Sequence, residues 1–129
     1  MTDEIVTLPE RPPTLRMLAM PTDTNAAGDI FGGWIMSQVD IAGSVVAHQE
    51  ARGRVVTVAV NSFVFHKPVF VGDLVSFYAD ISRIGRTSIT VDVTVYAQRN
   101  RGQEQVVQVT GATLTYVAVD DHRQPRPVA

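Results

Sequence analysis

Residues 31–50, FGGWIMSQVDIAGSVVAHQE, constrain the fold more than any other part of this chain, because they run for about 20 residues without a proline. Apolar side chains recur there at helical spacing, as at Ile35, Val39, Ala42 and Val46. The apolar face is wide, with Trp34, Ile41 and Val45 also on it, and it leaves only a narrow polar strip at Ser37, Ser44 and His48. The sequence therefore predicts one long helix, which must be buried.

The rest of the chain shows the two-residue alternation of β-strands. Between residues 88 and 98 every second side chain is apolar: Ile89, Val91, Val93, Val95 and Ala97. Residues 55–65, 74–81 and 106–119 are similarly rich in valine, threonine and aromatic residues. One helix followed by several strands predicts the α+β class, with an antiparallel sheet curled around the helix. The long strand after Arg86 looks like an exposed edge, which predicts an oligomer.

The length of 129 residues fits a single domain, which we place at residues 14–119. Residues 1–13, with three prolines, and the polar residues 120–129 look like flanking segments whose order depends on docking. The start of the chain is acidic and proline-rich, unlike a secretory signal, and no apolar run reaches about 18 residues. We therefore expect a cytoplasmic protein without a membrane span.

Charge and cysteine content exclude several classes of function. Eleven Lys and Arg against thirteen Asp and Glu give a net charge of -2, so nucleic acid is not an expected partner. The absence of cysteine excludes disulfides, thiolate metal sites and a cysteine nucleophile. His48, His66 and His122 are far apart and lack the spacing of zinc ligands, so we predict no metal site.

Glycines cluster just before the helix, in the segment NAAGDIFGGW. Gly28, Gly32 and Gly33 bring the backbone close to the helix start, where unpaired N–H groups favour an anion or a developing oxyanion. The alternative is an ordinary turn with close-packing glycines. The lysine of a phosphate-binding P-loop is missing, which disfavours nucleotide hydrolysis.

Asp40 lies on the predicted helix among small or apolar neighbours, Met36, Gly43 and Ala47. Partial desolvation there would suit a general base or a nucleophile. The alternative is a solvated aspartate beside the polar strip, and the helical pattern leaves both interpretations open.

Three further polar residues near Asp40 have simpler interpretations. Asn25, in the turn-forming segment PTDTN, is typical of a side chain that closes an Asx turn. Asp29 is suited to capping the helix. Ser37 could be combined with His48 and Asp40 into a triad, but no nucleophile elbow surrounds it, and we interpret it as packing.

Residues 82–88, SRIGRTS, place two arginines and two hydroxyls at a strand junction: Arg83, Arg86, Thr87 and Ser88. Such a group could bind a phosphate or a pyrophosphate. A solvated hairpin turn explains the same pattern, so both interpretations stay open.

At these same positions the chain resembles the YciA-type acyl-CoA thioesterases of the hotdog superfamily. The similarity runs in order through LRMLAMPTDTNAAGDIFGGWIMSQVD, GRVVTVAV, FHKPVFVGD, IGRTSI and TLTYVAVD. It implies a hotdog fold, in which a five-stranded antiparallel sheet wraps around one central helix. It also implies dimers joined sheet edge to sheet edge, active sites between two protomers, and hexamers built from three dimers.

The resemblance also assigns roles within the site. Asp40 becomes the catalytic carboxylate that hydrolyses acyl-CoA to a fatty acid and CoA, with no cofactor, and Asn25 is contributed by the other protomer. Backbone N–H groups near Gly32 and Gly33 receive the oxyanion. Arg86, Thr87 and Ser88, with Arg83, bind the nucleotide part of CoA.

This chain departs from the family pattern at two places. It reads NAAG in place of NANG, a change of little expected consequence. Asn61 stands where relatives often have an acidic residue, and we expect it to alter the chain-length preference or the rate if that residue helps to position substrate.

Two other functions remain as alternatives. A hotdog hydratase or dehydratase would pair a histidine with a carboxylate, and here no histidine lies one turn from Asp40. A non-catalytic acyl-CoA-binding module would normally control an attached DNA-binding domain, for which this chain has no room.

Overall fold

Five antiparallel strands wrap around one helix in the computed structural model, which describes residues 6–99 and 105–129. The elements are β1 (Leu15–Leu18), α1 (Gly32–Ala51), β2 (Val55–Phe65), β3 (Leu74–Ile84), β4 (Ser88–Arg99) and β5 (Gln105–Ala118). The strands lie in the order β1-β3-β4-β5-β2, and every neighbouring pair is antiparallel. The predicted α+β architecture is confirmed. No helix in the described part of the chain is long and apolar enough to cross a membrane.

The central helix α1 begins and ends within one residue of the predicted segment. It ends at Ala51, and the cap residue Arg52 has a left-handed backbone and donates its N–H to the carbonyl of His48. One face, with Ile35, Val39, Ala42 and Ala47, is buried against the sheet.

The expectation that the whole helix is buried is wrong for a single chain. Ile41 is 48% exposed and Val45 is 39% exposed. The sheet covers only one side of α1, so these apolar residues have no cover within the described chain.

Strand β4 supplies much of the core. The alternation predicted from the sequence is confirmed, because the side chains of Ile89, Val91, Val93, Val95 and Ala97 are all buried. Burying each of the larger side chains contributes about 1.5 to 3 kcal/mol, so this strand anchors the sheet to the helix.

The prediction that the strand after Arg86 forms an edge is wrong. This strand, β4, lies in the middle of the sheet between β3 and β5, so its backbone is paired on both sides. The edge strands are β1 and β2. Strand order depends on long-range pairing, which alternation along a single strand does not encode.

Strand β2 is an apolar edge interrupted by two bulges. Its pairing with β5 shifts register at Val58 and again at Asn61. Five of its apolar side chains are exposed: Val56, Val58, Val60, Val64 and Phe65. An exposed apolar edge of this length is a surface to which another strand can be added.

The described parts of both flanking segments, residues 6–13 and 120–129, contact the domain. Near the start, the Arg11 guanidinium donates to both carboxylate oxygens of Asp80, at 2.7 and 2.6 Å, and lies over the Tyr78 ring. Near the end, the Val128 N–H donates to the Arg86 carbonyl at 2.9 Å. Arg126 donates to the carbonyl of Ala51 at 2.9 Å, where the last carbonyls of α1 need partners. The last residues thus connect the end of α1 with the β3–β4 turn.

Candidate active site

Asp40 lies in the middle of α1, and two hydroxyl groups from the sheet hold its carboxylate. Thr57 of β2 donates to Asp40 Oδ1 at 2.8 Å. The Tyr116 hydroxyl of β5 lies 2.9 Å from the same oxygen and 2.9 Å from the Asp40 carbonyl oxygen. No described residue donates to Asp40 Oδ2. The half-buried carboxylate is therefore anchored through one oxygen and free at the other.

The Tyr116 side chain is fully buried, although its hydroxyl is polar. Burial, followed by the hydrogen bond to Asp40 and the negative charge of that carboxylate, raises the pKa of Tyr116 far above its usual value. The hydroxyl therefore keeps its proton at neutral pH and acts as a donor.

Asn25 closes the loop before α1, as the Asx-turn interpretation predicts. Its Oδ1 accepts from the N–H of Ala27 at 2.9 Å and from the N–H of Asp29 at 3.1 Å. Its own N–H donates to the Asp29 carbonyl at 2.7 Å. Gly28 completes the turn with φ of 89°, a conformation that favours glycine. The amide nitrogen of the Asn25 side chain remains available as a donor.

The start of α1 has backbone donors without a side-chain cap. Phe31 occupies the cap position and provides no capping hydrogen bond. The N–H groups of Gly32 and Gly33 have no acceptor among the described residues. Gly32 lines a cavity of about 420 Å³ together with Asn25 and Lys67. Such donors, at the positive end of a helix dipole, suit a developing oxyanion.

The prediction that Asp29 caps the helix is wrong. Its backbone pairs with Phe70 in an isolated bridge and with Asn25 in the loop, which places it two residues before the cap position. Ser37 behaves as expected for packing, since its hydroxyl donates to the Trp34 carbonyl at 2.8 Å.

Asp40 and the helix start do not meet within one chain. Gly32 and Asp40 are separated by eight residues of continuous helix, which corresponds to about 12 Å along its axis. A thioester carbonyl is only a few ångströms across. One carbonyl can therefore not contact both groups of the same protomer.

The predicted phosphate-binding residues lie in the β3–β4 turn and the adjoining strand ends, apart from both Asp40 and the start of α1. Arg83 and Arg86 are exposed, and the Thr87 carbonyl accepts from the Ala118 N–H at 2.9 Å. Ala118 lies two residues beyond Tyr116 on β5, which is about 7 Å along the strand. Ser88 begins β4, with its hydroxyl against Gly85. The turn thus lies on the side of Asp40 away from the start of α1.

A groove of about 590 Å³ runs beside the second half of α1. Its lining comes from the helix and from the start of β2: Ser44, Val45, His48, Gln49, Arg54 and Val55. Ser44 follows Asp40 by one helical turn, and Val55 precedes Thr57 by two residues. The groove therefore leads to the neighbourhood of the Asp40 carboxylate. His48 lies in it but is not among the hydrogen-bond partners of Asp40.

Asn61 lies away from this site. Its Oδ1 accepts from the Thr115 hydroxyl at 2.7 Å. Thr115 stands between Leu114 and Tyr116, whose side chains are buried toward the helix, so Thr115 and Asn61 lie on the opposite face of the sheet. Within one chain Asn61 is therefore not beside Asp40.

Two residues of the site, Thr57 and Tyr116, are not predicted by the sequence analysis. They are separated from Asp40 by 17 and 76 residues. For Tyr116 a signal exists, because it is a hydroxyl-bearing aromatic residue in the alternating buried set of β5, between Leu114 and Ala118. Among the described residues, no group of three or more His, Asp or Glu is placed to hold a metal ion.

Comparison with known proteins places this chain in a family. A model of the thioesterase superfamily matches residues 27–103. An uncharacterized acyl-CoA thioester hydrolase of Buchnera aphidicola is 54% identical over 114 residues, covering 87% of this chain and 84% of that protein. The acyl-CoA thioester hydrolase YciA of Escherichia coli is 46% identical over 121 residues, covering 92% of each chain.

A solved structure agrees with these sequence matches. The hexameric thioesterase of Yersinia pestis is 50% identical, with a TM-score of 0.87, over 95% of this chain and 98% of that one. The chain belongs to the thioesterase superfamily. Within that superfamily, the predicted resemblance to YciA-type acyl-CoA thioester hydrolases and to the hotdog fold is confirmed.

Proposed function

We propose that this protein is an acyl-CoA thioesterase, which hydrolyses acyl-CoA to a fatty acid and CoA with Asp40 as the catalytic carboxylate. The proposal rests on the hydrogen bonding of that carboxylate. Thr57 and Tyr116 fix Oδ1, and Oδ2 has no donor among the described residues. An oriented carboxylate with one free oxygen can take a proton from water or attack a carbonyl carbon.

The active site is shared by two subunits in this proposal. The distance of about 12 Å along α1 requires that the oxyanion donors facing Asp40 come from a second copy. The exposed valines of β2 and the uncovered Ile41 and Val45 of α1 supply apolar surface for that copy. We propose a dimer formed through β2, assembled further into a hexamer, as the Yersinia pestis thioesterase is hexameric.

The chemistry follows from these placements. Asp40 Oδ2 takes a proton from water as the water oxygen bonds to the thioester carbonyl carbon, or it attacks that carbon itself. Negative charge develops on the carbonyl oxygen, where the N–H groups of Gly32 and Gly33 of the partner subunit stabilise it. When water is the nucleophile, the carbon–sulfur bond then breaks as the sulfur takes the proton held by Asp40, and CoA leaves as a thiol beside the fatty acid. When Asp40 is the nucleophile, the sulfur takes its proton from water, and the acyl group stays on Asp40 as a mixed anhydride until a second water adds to it, which releases the fatty acid and restores the carboxylate.

The partner subunit's Asn25 acts as a donor in this scheme. Its Oδ1 already accepts two backbone N–H groups, so only its amide N–H groups are available to substrate. It therefore stabilises the carbonyl oxygen and does not accept a hydrogen bond from the attacking water.

The nucleotide part of CoA binds at the basic end of the molecule. The guanidinium groups of Arg83 and Arg86 are joined there by exposed Arg52 and Arg54, which follow the end of α1. None of these four has an acidic partner among the described residues. The lining of the groove beside α1 includes both Arg54 and Ser44, which follows Asp40 by one helical turn, so the groove is a route for the pantetheine arm. Thr87 and Ser88 supply hydroxyls at the turn.

We place this activity in the cytoplasm, where CoA thioesters are made and consumed. The hotdog unit spans residues 14–119 in the proposal, with residues 1–13 and 120–129 as flanking segments.

The proposal is tested by incubating the wild-type protein with a series of acyl-CoAs and measuring free thiol. We expect thiol release with at least part of the series, because a positioned carboxylate accelerates hydrolysis by about 10²- to 10⁴-fold. An enoyl-CoA is included in the series. Its hydration without thiol release would support the hydratase alternative, and binding without turnover of any acyl-CoA would support a binding module.

A substitution at the β3–β4 turn tests the CoA-binding assignment. For Arg86→Ala we expect KM for acyl-CoA to rise about tenfold with kcat unchanged, because one charge-assisted hydrogen bond to phosphate is lost. A truncated N-acetylcysteamine thioester lacks the nucleotide and should be hydrolysed equally by both proteins. Arg11→Ala, on the opposite face of the sheet beside Asp80, serves as the control. An unchanged KM in Arg86→Ala would remove this turn from the binding site.

A further inference from the structure

The interior of α1 contains a glycine, although glycine has a low helix propensity. Gly43 is buried in the middle of the helix, one turn after Asp40. Glycine at such a position costs about 1 kcal/mol relative to alanine. A Cβ added at Gly43 would lie 2.4 Å from the Tyr116 hydroxyl oxygen, closer than any real contact of this kind. Gly43 therefore leaves the space that the Tyr116 hydroxyl occupies.

The Tyr116 hydroxyl uses that space to reach two acceptors on one residue. It lies 2.9 Å from the Asp40 carbonyl oxygen and 2.9 Å from Asp40 Oδ1. The single hydroxyl proton is shared between a backbone oxygen and a carboxylate oxygen of one residue, which favours the side-chain rotamer that brings Oδ1 beside that backbone oxygen. Thr57 adds a second hydroxyl on Oδ1 from the β2 side.

We propose that Tyr116 is the positioning residue for Asp40 and that Gly43 is required because it admits the Tyr116 hydroxyl. Oδ1 is the anchored oxygen in this arrangement, and Oδ2 is the oxygen that meets the substrate. The inference rests on the proposed thioesterase function and adds to it the residues that aim the carboxylate. Tyr116 itself does not touch the reacting atoms, since its side chain is buried beneath Asp40.

The test compares Tyr116→Phe, Gly43→Ala and the double variant by thiol release. Tyr116→Phe should lower kcat about tenfold and leave KM unchanged, because the carboxylate loses its orientation while the binding surfaces remain. Gly43→Ala should lower kcat about 100-fold, because the new methyl group displaces the tyrosine and with it Asp40. In the double variant the hydroxyl is gone and the ring atoms Cζ and Cε2, at 3.1 and 3.2 Å from the new Cβ, need to shift by only a few tenths of an ångström, so kcat should recover toward the level of Tyr116→Phe alone.

The recovery in the double variant separates positioning from general loss of stability. Two destabilising changes without contact would add, and the double variant would then be worse than either single one. Tyr78→Phe is the matched control, because Tyr78 is equally buried but lies on the other face of the sheet near Arg11. It should keep wild-type kcat.

The proposal is overturned if Tyr116→Phe keeps the wild-type kcat, or if the double variant is no better than Gly43→Ala. Should Gly43→Ala fail to fold, a folded double variant with the kcat of Tyr116→Phe supports the proposal, and an unfolded one overturns it. Asp40→Asn is measured beside these variants. Wild-type turnover in Asp40→Asn would contradict the proposed function itself. If Asp40→Asn loses turnover while Tyr116→Phe keeps the wild-type kcat, only the positioning role of Tyr116 is contradicted.

Discussion

The Asp40→Asn variant is expected to lose about 10³-fold in kcat for acyl-CoA hydrolysis while its KM and melting temperature stay close to wild type. Asparagine has nearly the same shape and keeps an oxygen that can accept from Thr57 and Tyr116. What it loses is the basic oxygen that takes the proton or attacks the carbonyl. The thiol-release assay and thermal unfolding measure the two effects separately.

Asp92→Asn is the matched control for this variant. The Asp92 carboxylate also accepts a threonine hydroxyl, from Thr113 at 2.8 Å, but it lies on the opposite face of the sheet. It should keep wild-type kcat. If Asp40→Asn turned over acyl-CoA as fast as Asp92→Asn, Asp40 would have no part in the reaction.

Local periodicity predicts the elements of this fold well. Helix α1 and the inward face of β4 follow directly from the spacing of the apolar residues, because apolar side chains recur on the face of each element that packs in the core. Strand β1 is missed by this approach. It has only four residues, too few to show alternation, and it is fixed by pairing with β3.

The position of β4 within the sheet is the part of the fold that the sequence predicts wrongly. Strand β4 is long and strongly alternating, which suggests an edge in need of cover, yet β3 and β5 pair with it on both sides. The edges are β1 and β2, and two bulges in β2 break its two-residue period at Val58 and Asn61. Pairing between segments that are distant in the sequence determines which strands lie at the edges, and the periodicity within one strand carries no information about that pairing.

The candidate site shows the same division between local and distant information. Asp40 is a candidate because its helical neighbours are small or apolar, a local property, and the family resemblance then assigns it the catalytic role. The hydroxyls of Thr57 and Tyr116 come to it only through the folding of β2 and β5 over α1. The family resemblance covers the segment TLTYVAVD, but the role of its tyrosine becomes visible only with Gly43 beside it.

The account depends most on one claim, that each active site combines Asp40 of one subunit with the Asn25 loop and helix start of another. Mixing two inactive variants tests it. Asn25→Asp keeps the oxygen that closes the loop but removes the amide donors, so it should lose about 10²-fold in kcat. Asp40→Asn loses the carboxylate.

When the two variants are co-expressed in equal amounts, half of the dimers contain one chain of each kind. Each mixed dimer has one site with both residues intact, so the mixture should recover about one quarter of the wild-type turnover. Separately purified variants, mixed without subunit exchange, provide the control. Recovery near one quarter is the result this account predicts. Co-expressed protein no more active than the sum of its two inactive parents would place both residues of each site in one chain and contradict it.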